Sequence, residues 1–157
     1  MVSNDDFLEF VDEALDLLVG IVSDLGDELS NRRPNVPRAN SPFAILTHCL
    51  GVMEYWGGHV AAGRTIQRDR DAEFRAQGRV SELIEQVNGA RARFRADVTG
   101  LEPAARPLGT LEPEDAALPL GRTAGGALIH VYEELERHLG QMELTRDILR
   151  APWGELA

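Results

Sequence analysis

Residues 130–141 carry the clearest potential for chemistry, because two histidines and several carboxylates fall close together there. Glu134 and His138 are four positions apart. On an α-helix, this spacing places two side chains about 40° apart around the axis and one turn apart along it. One helix can therefore offer both side chains to a single metal ion. His130 extends the same row by one more turn.

A third ligand would have to come from a facing helix, and His48 is the candidate. It lies in an apolar stretch with Ile45, Leu46 and Leu50, where a histidine is unfavourable unless its ring nitrogens find partners. Two histidines and one carboxylate form a borderline-soft donor set that suits zinc, with other first-row divalent ions as alternatives. Three protein ligands also leave one coordination position open, as catalytic metal sites do.

Each of these residues also has a simpler interpretation. A Glu-x-x-x-His pair on a helix is most often a solvated or salt-bridged pair, and Glu133 and Glu136 are interpreted as surface acids. His59 lies roughly 16 Å along the helix axis from His48, too far to share a metal, and is interpreted as a packing or surface residue. Cys49 points about 100° away from the candidate ligand and is interpreted as a small buried residue.

Four segments with a helical period could hold the candidate ligands in place. The spacing of apolar residues predicts helices over about residues 4–25, 41–62, 80–98 and 123–149. Ser41 is the expected N-cap of the second helix, with Pro42 at its first position. Trp56 is assigned to the core, and Tyr55 either to the core or to the edge of the pocket. Four amphipathic helices of this length bury their apolar stripes only against one another, which predicts an all-α four-helix bundle.

Two long connections separate the predicted helices. Residues 63–78 are strongly charged, and we expect them to cross one end of the bundle as a loop. Residues 100–122 contain four prolines and are expected to be irregular. Connections of this length indicate that the topology is not a simple up-down-up-down arrangement. Arg64 and Arg68 would meet an anionic substrate if the first of these loops folded over the pocket, although a solvated loop is the simpler interpretation.

Composition narrows the classes of function. The chain has 157 residues, which predicts one domain, residues 1–157, with a proper core. The formal net charge is −10, and no basic stripe with aromatic residues is present, so nucleic-acid binding is not expected. No apolar run approaches the roughly 20 residues that a membrane span needs. The single cysteine, Cys49, and an acidic N-terminus without a secretory signal predict a cytoplasmic location.

Two stretches of the sequence resemble the DinB-like superfamily. They are NSPFAILTHCLGVMEYW over residues 40–56 and ELERHLGQ over residues 134–141. The closest branch is the mycothiol-dependent one, which includes mycothiol S-transferases and maleylpyruvate isomerase. The resemblance implies a four-helix bundle with up-down-down-up topology. It also implies a divalent-metal site with His48, Glu134 and His138 as ligands, because this branch pairs a glutamate with a histidine on the last helix.

The resemblance further implies a thiol S-transferase that detoxifies small electrophiles. A metal-bound thiolate of mycothiol would be the nucleophile, with zinc as the expected metal and nickel as the alternative. All basic residues are arginine, which fits the high-GC bacteria in which mycothiol is expected. The expected partners are the thiol and its electrophilic substrate, and the resemblance also allows a homodimer.

Some alternatives stay open at the level of sequence. His130 is the candidate for an acid–base role or for orienting a ligand, but a fourth ligand or a packing residue would show the same spacing. The protein as a whole could instead be a metal-dependent hydrolase or isomerase that uses metal-bound water. A third alternative is a non-catalytic, stress-linked helical bundle, since a fold does not by itself imply an activity.

Overall fold

The computed structural model describes residues 3–113, 115 and 119–151, and most of this part of the chain is helical. The α-helices are α1 (Asn4–Asn31), α2 (Pro42–Val52), α3 (Arg70–Glu73), α4 (Val80–Val98) and α5 (Ala124–Arg150). The end of α2 runs directly into a π-helical segment, Met53–Ala61. No strand occurs within the described ranges, so the prediction of an all-α fold is confirmed.

The helices begin where the sequence places its capping residues. Ser41 accepts a hydrogen bond from the backbone N–H of Ala44 at 3.3 Å, and Pro42 occupies the first helical position. Thr123 accepts one from the N–H of Gly126 at 3.0 Å. Each side chain satisfies a backbone donor that has no partner within its helix. The predicted starts of α2 and α5 are therefore confirmed.

The first helix is longer than predicted. It continues to Asn31, whereas the pattern of apolar residues indicated an end near residue 25. Gly26 has φ of 66°, a left-handed conformation that glycine adopts without steric cost, and it kinks the helix instead of ending it. Beyond the kink, the buried hydroxyl of Ser30 donates to the carbonyl of Val22 at 3.0 Å. This hydrogen bond joins residues on either side of the kink. The spacing of apolar residues does not reveal it and therefore did not predict that the helix continues.

Four long elements form the bundle: α1, α2 with its π-helical extension, α4 and α5. α1 packs against α2, α4 and α5, while α5 also packs against α2 and the π-helical segment. Each long helix contributes fully buried side chains to one core, among them Leu15, Leu46, Leu83 and Leu135. The four-helix bundle is thus confirmed, and its up-down-down-up topology stays a prediction.

The π-helical segment brings α4 close to the second helix. A Cβ atom at Gly57 would lie 2.2 Å from the ring of Phe94, so only glycine allows this approach. The wider turn is visible in the bond from the N–H of Ala62 to the carbonyl of Gly57 at 3.1 Å, five residues apart. The extension buries Tyr55 and Trp56, as the sequence indicated for Trp56.

Two connections complete the described chain. The first connection (residues 62–79) contains the short helix α3, so the prediction of a loop across this whole stretch was wrong in that respect. The second connection (residues 99–123) is irregular, as predicted, except for a 3₁₀ turn at Pro119–Gly121. Residues 114 and 116–118 of this connection lie outside the described part of the chain.

Candidate metal centre

The three predicted ligands lie together where α2 packs against α5. The Nε2 atom of His138 is 3.5 Å from the Oε2 atom of Glu134, and the rings of His48 and His138 meet edge to face with centroids 5.0 Å apart. One donor atom from each of the three residues lies within 4.8 Å of the others. Ligand atoms around a tetrahedral zinc ion with bonds of ~2.0–2.1 Å are about 3.3 Å apart. The cluster is therefore near the size that one ion needs.

Both histidines have a hydrogen-bond acceptor at Nδ1. The partner of His48 is Oε2 of Glu73 at 2.8 Å, and the partner of His138 is Oε1 of Gln141, also at 2.8 Å. In a neutral ring, such an acceptor holds the proton at Nδ1 and leaves the lone pair of Nε2 to bind a metal ion. Acceptors at Nδ1 are the contacts that typically orient metal-binding histidines and favour a lone pair at Nε2.

Glu134 divides its two oxygen atoms between different neighbours. Oε1 accepts a hydrogen bond from Arg137, while Oε2 faces His138. His138 lowers the pKa of Glu134 to about 2, burial opposes this shift, and the charge of Arg137 adds to it. The carboxylate is therefore ionised at neutral pH, and the geometry leaves Oε2 as the atom that can bind a cation.

Glu73 is the residue of this site that sequence reasoning missed. It ends α3 and is 8% exposed, although its neighbours in the first connection are mostly solvated. Arg68 donates to both of its oxygen atoms, from Nε to Oε1 at 2.7 Å and from Nη2 to Oε2 at 3.0 Å. Burial raises the pKa of Glu73, but the hydrogen bonds from His48 and Arg68 outweigh it, and the pKa falls below its usual value. The sequence pattern does not reveal the burial of Glu73, because it is one of many charged residues in this stretch.

Arg64 and Arg68 of the first connection are engaged within the protein. Arg64 donates from Nε to both oxygen atoms of Asp97, at 2.8 and 3.0 Å, and from Nη2 to Glu54 at 2.7 Å. Arg68 holds Glu73 and lies over the ring of Tyr55, 5.5 Å from its centroid. Both guanidinium groups are thus matched with carboxylates, so the structure lends no support to contact with an anionic substrate.

His130 lies one turn before Glu134 at the edge of the cluster. Its Nδ1 atom is 3.0 Å from Oε2 of Glu133, and its ring meets the ring of Trp56 edge to face at 4.7 Å. In the described ranges, His130 forms a second group of potential ligands with Glu133 and Glu134, and this group shares Glu134 with the group that contains His48 and His138. The position therefore suits a role beside the metal ligands.

The remaining candidates have structural roles. Nδ1 of His59 is 2.8 Å from the carbonyl oxygen of Arg64, and Nε2 is 3.0 Å from that of Thr110, so this ring joins the two connections. Cys49 is fully buried, and burial raises the pKa of its thiol far above the usual range. It stays protonated at neutral pH, which confirms its interpretation as a small buried residue.

The fold and the cluster together define a class of protein: an all-α bundle with two histidines and one glutamate gathered between two of its helices. Residues 6–151 match the family model described as Mycothiol-S-transferase. The chain therefore belongs to the mycothiol S-transferase family of DinB-like proteins, which confirms the resemblance of its two motifs. A search of curated proteins found no match.

Proposed function

We propose that the protein is a mycothiol S-transferase whose divalent metal ion is held by His48, Glu134 and His138. The observation that carries the proposal is the convergence of three donor atoms within 4.8 Å on a chain of this family. Two imidazoles and one carboxylate fit zinc, with nickel as the alternative, and leave a position for a thiol sulfur. When bound, the ion would supply the positive charge that makes the thiol a thiolate at neutral pH.

Aromatic side chains shape the surroundings of the proposed ligands. The ring of Phe74 stacks on the ring of His48 with centroids 4.5 Å apart and an angle of 28°. The ring of Trp56, which is buried in the π-helical segment, meets the ring of His130 edge to face. The ring of Phe74 helps to keep water away from His48, which is buried, and electrostatic interactions are stronger where water is excluded.

His130 is the proposed acid–base residue. With Nδ1 bonded to Glu133 at 3.0 Å, the neutral ring carries its proton there, and Nε2 can accept another. In the transfer, the thiol sulfur forms a bond to an electrophilic carbon as the leaving group departs. His130 would hold the proton that the thiol loses. A packing role against Trp56 is the competing interpretation, and the two differ in what substitution does to the rate.

Metal content is the first test of the site. His48→Ala, Glu134→Ala and His138→Ala should each lose the metal, because each removes one of only three ligands. Untagged parent protein should contain close to one zinc or nickel ion per chain by elemental analysis. Glu136→Ala is the matched control, since this exposed residue lies on the same helix, and it should keep the metal. A parent protein that contains no metal and cannot be loaded would refute the proposed site.

A transfer assay tests the reaction. With mycothiol and a fluorogenic alkylating agent, the metal-loaded protein should form the thioether and consume the thiol. His130→Gln should retain the metal but lose about 10²-fold or more in kcat if the ring moves a proton. A packing role predicts lower stability with kcat nearly unchanged. Turnover of the electrophile without any thiol would instead indicate chemistry by metal-bound water.

Several expectations from the sequence remain predictions. They are a single domain over residues 1–157, a cytoplasmic location, a homodimer and the absence of nucleic-acid binding. Of the helices in the described ranges, none has both the length and the apolar character that crossing a membrane requires. Chromatography coupled to light scattering would measure the mass in solution and test the homodimer directly.

A further inference from the structure

The surroundings of the two ligand histidines are unequal. Nδ1 of His48 bonds to a buried carboxylate, Glu73, whereas Nδ1 of His138 bonds to the exposed amide of Gln141. A carboxylate that carries a full charge is a stronger acceptor than an amide, and burial removes the water that would compete for the proton. The two contacts should therefore differ in how firmly they fix their rings.

Glu73 is itself fixed from two sides. Arg68 binds both of its oxygen atoms in a fork, at 2.7 and 3.0 Å. It also lies against α2 at Gly51, where a Cβ atom would come 2.0 Å from Oε1. Because Gly51 has no side chain, the carboxylate of Glu73 fits against α2. The two hydrogen bonds from Arg68 and this close fit together orient Oε2 toward His48.

We propose that Glu73 is a positioning residue that orients His48 for metal binding. Hydrogen bonds from Arg68 hold its carboxylate, and the missing side chain at Gly51 leaves room for it. Glu73 holds the proton of the neutral ring at Nδ1 and so directs the lone pair of Nε2 to the proposed metal position. Loss of such an outer contact typically weakens metal binding 10–100-fold. The inference rests on the proposed metal site and extends it to the first connection, from which no ligand was expected.

Substitutions of Glu73 give the direct test. Zinc dissociation constants would be measured on metal-free protein by competition with a chromophoric chelator. Glu73→Ala should bind zinc 10–100-fold more weakly than the parent. Glu73→Gln should be intermediate, because its amide keeps one oxygen acceptor for His48 but loses the negative charge and the second acceptor that Arg68 uses. Gln141→Ala is the control at the other histidine and should change the constant less than threefold, since water can replace an exposed amide.

Gly51→Ala tests the same role without changing any charged residue. The new methyl group would displace Oε1 of Glu73 and misalign the carboxylate, and zinc should bind about 10-fold more weakly. The matched control is Gly20→Ala on α1, where a Cβ atom would meet nothing within 4 Å. Alanine also favours helix over glycine, so both variants should fold. A general effect of replacing a helical glycine would appear in both of them.

The outcomes separate this inference from the function on which it rests. If the parent binds zinc and the folded Glu73→Gln and Gly51→Ala variants bind it within twofold of the parent, the positioning role is wrong. If the parent binds no metal, both the site and this role are wrong. Weakened zinc binding in a protein without transferase activity would support the role of Glu73 and contradict only the proposed reaction. Should Glu73→Ala not fold, the other two variants decide the question.

Discussion

The two connections of the bundle look alike in sequence, since both are long and lack a sustained helical pattern of apolar residues, yet they attach to the helices in different ways. The first connection is held by charged side chains: Arg64 binds Asp97 of α4, and Glu73, itself bound by Arg68, contacts His48 of α2. The second is held largely through its backbone. The N–H of Gly109 donates to the carbonyl of Val60 at 3.0 Å.

Polar side chains of the π-helical segment reinforce the second connection. The hydroxyl of Tyr55 donates to Asp115 at 2.9 Å and accepts from the N–H of Glu112 at 3.1 Å. His59 contacts the carbonyl oxygen of Thr110. Charged side chains can reach over a distance and tolerate small shifts, whereas backbone contacts require close approach. The first connection should therefore respond most to charge, and the second most to added volume.

The largest effect is expected from added volume in the second connection. In Gly109→Ala, the Cβ atom would lie 2.0 Å from the carbonyl oxygen of His59, and a backbone atom cannot rotate away. The connection must shift, which should lower the free energy of unfolding by about 2–3 kcal/mol. Urea unfolding of metal-free protein would measure this. Gly20→Ala has open space and should be neutral or stabilising. If Gly109→Ala were as stable as the parent, the second connection would not be sensitive to added volume, and the contrast with the first connection would be wrong.

Removal of a charge from the first connection should have a smaller effect. Arg64→Gln leaves Asp97, whose side chain is 7% exposed, without the charged Nε–H donor that contacts both of its oxygen atoms. The expected loss is about 1–2 kcal/mol, because a buried carboxylate then lacks its charged donor. Arg146→Gln is the control, since its partner Asp147 is largely exposed, and it should cost less than about 0.5 kcal/mol. Equal losses in the two variants would show that the Arg64–Asp97 ion pair stabilises the fold no more than an exposed pair does.

The pH dependence of stability should show the smallest effects and distinguish the connections by sign. Burial raises the pKa of Glu54, but hydrogen bonds from Arg93 and Arg64 outweigh it, so the pKa lies below its usual 4.5. The stability that this carboxylate contributes is present above about pH 4.5 and is lost as the pH falls below it. Burial raises the pKa of Tyr55 above its usual 10. Its contribution is present below about pH 10 and is lost as the pH rises.

Two variants test these signs in the metal-free protein. Thermal unfolding across pH should show that Glu54→Gln reduces the loss of stability in acid and leaves the alkaline side unchanged. Tyr55→Phe should reduce the loss in alkali and leave the acid side unchanged. Two results would contradict this interpretation: an alkaline effect of Glu54→Gln with an acid effect of Tyr55→Phe, or no effect of either variant. Either result would show that the first connection is not held mainly by charge or the second not by neutral hydrogen bonds.

Much of the fold and part of the candidate site could be predicted from residues alone. Apolar spacing predicted four helices, and the Ser41–Pro42 pair predicted where α2 begins, because capping and periodicity are local properties. The row of Glu134 and His138 on one helix face was likewise readable from spacing. By contrast, the continuation of α1 past Gly26 was missed, since it depends on a buried hydroxyl contact across the kink.

The sequence by itself determined the kinds of side chain that could bind a metal and the helices that carry them. The tertiary structure decided which partner each one has. Glu73 is 25 residues from His48 in the chain, and only the fold of the first connection onto α2 brings the two to 2.8 Å. Arg64 and Arg68, which looked available to a substrate, are engaged by Asp97 and Glu73 for the same reason. The spacing of residues along a helix can be read from the sequence, whereas the burial of a side chain and its pairing with a distant residue depend on packing.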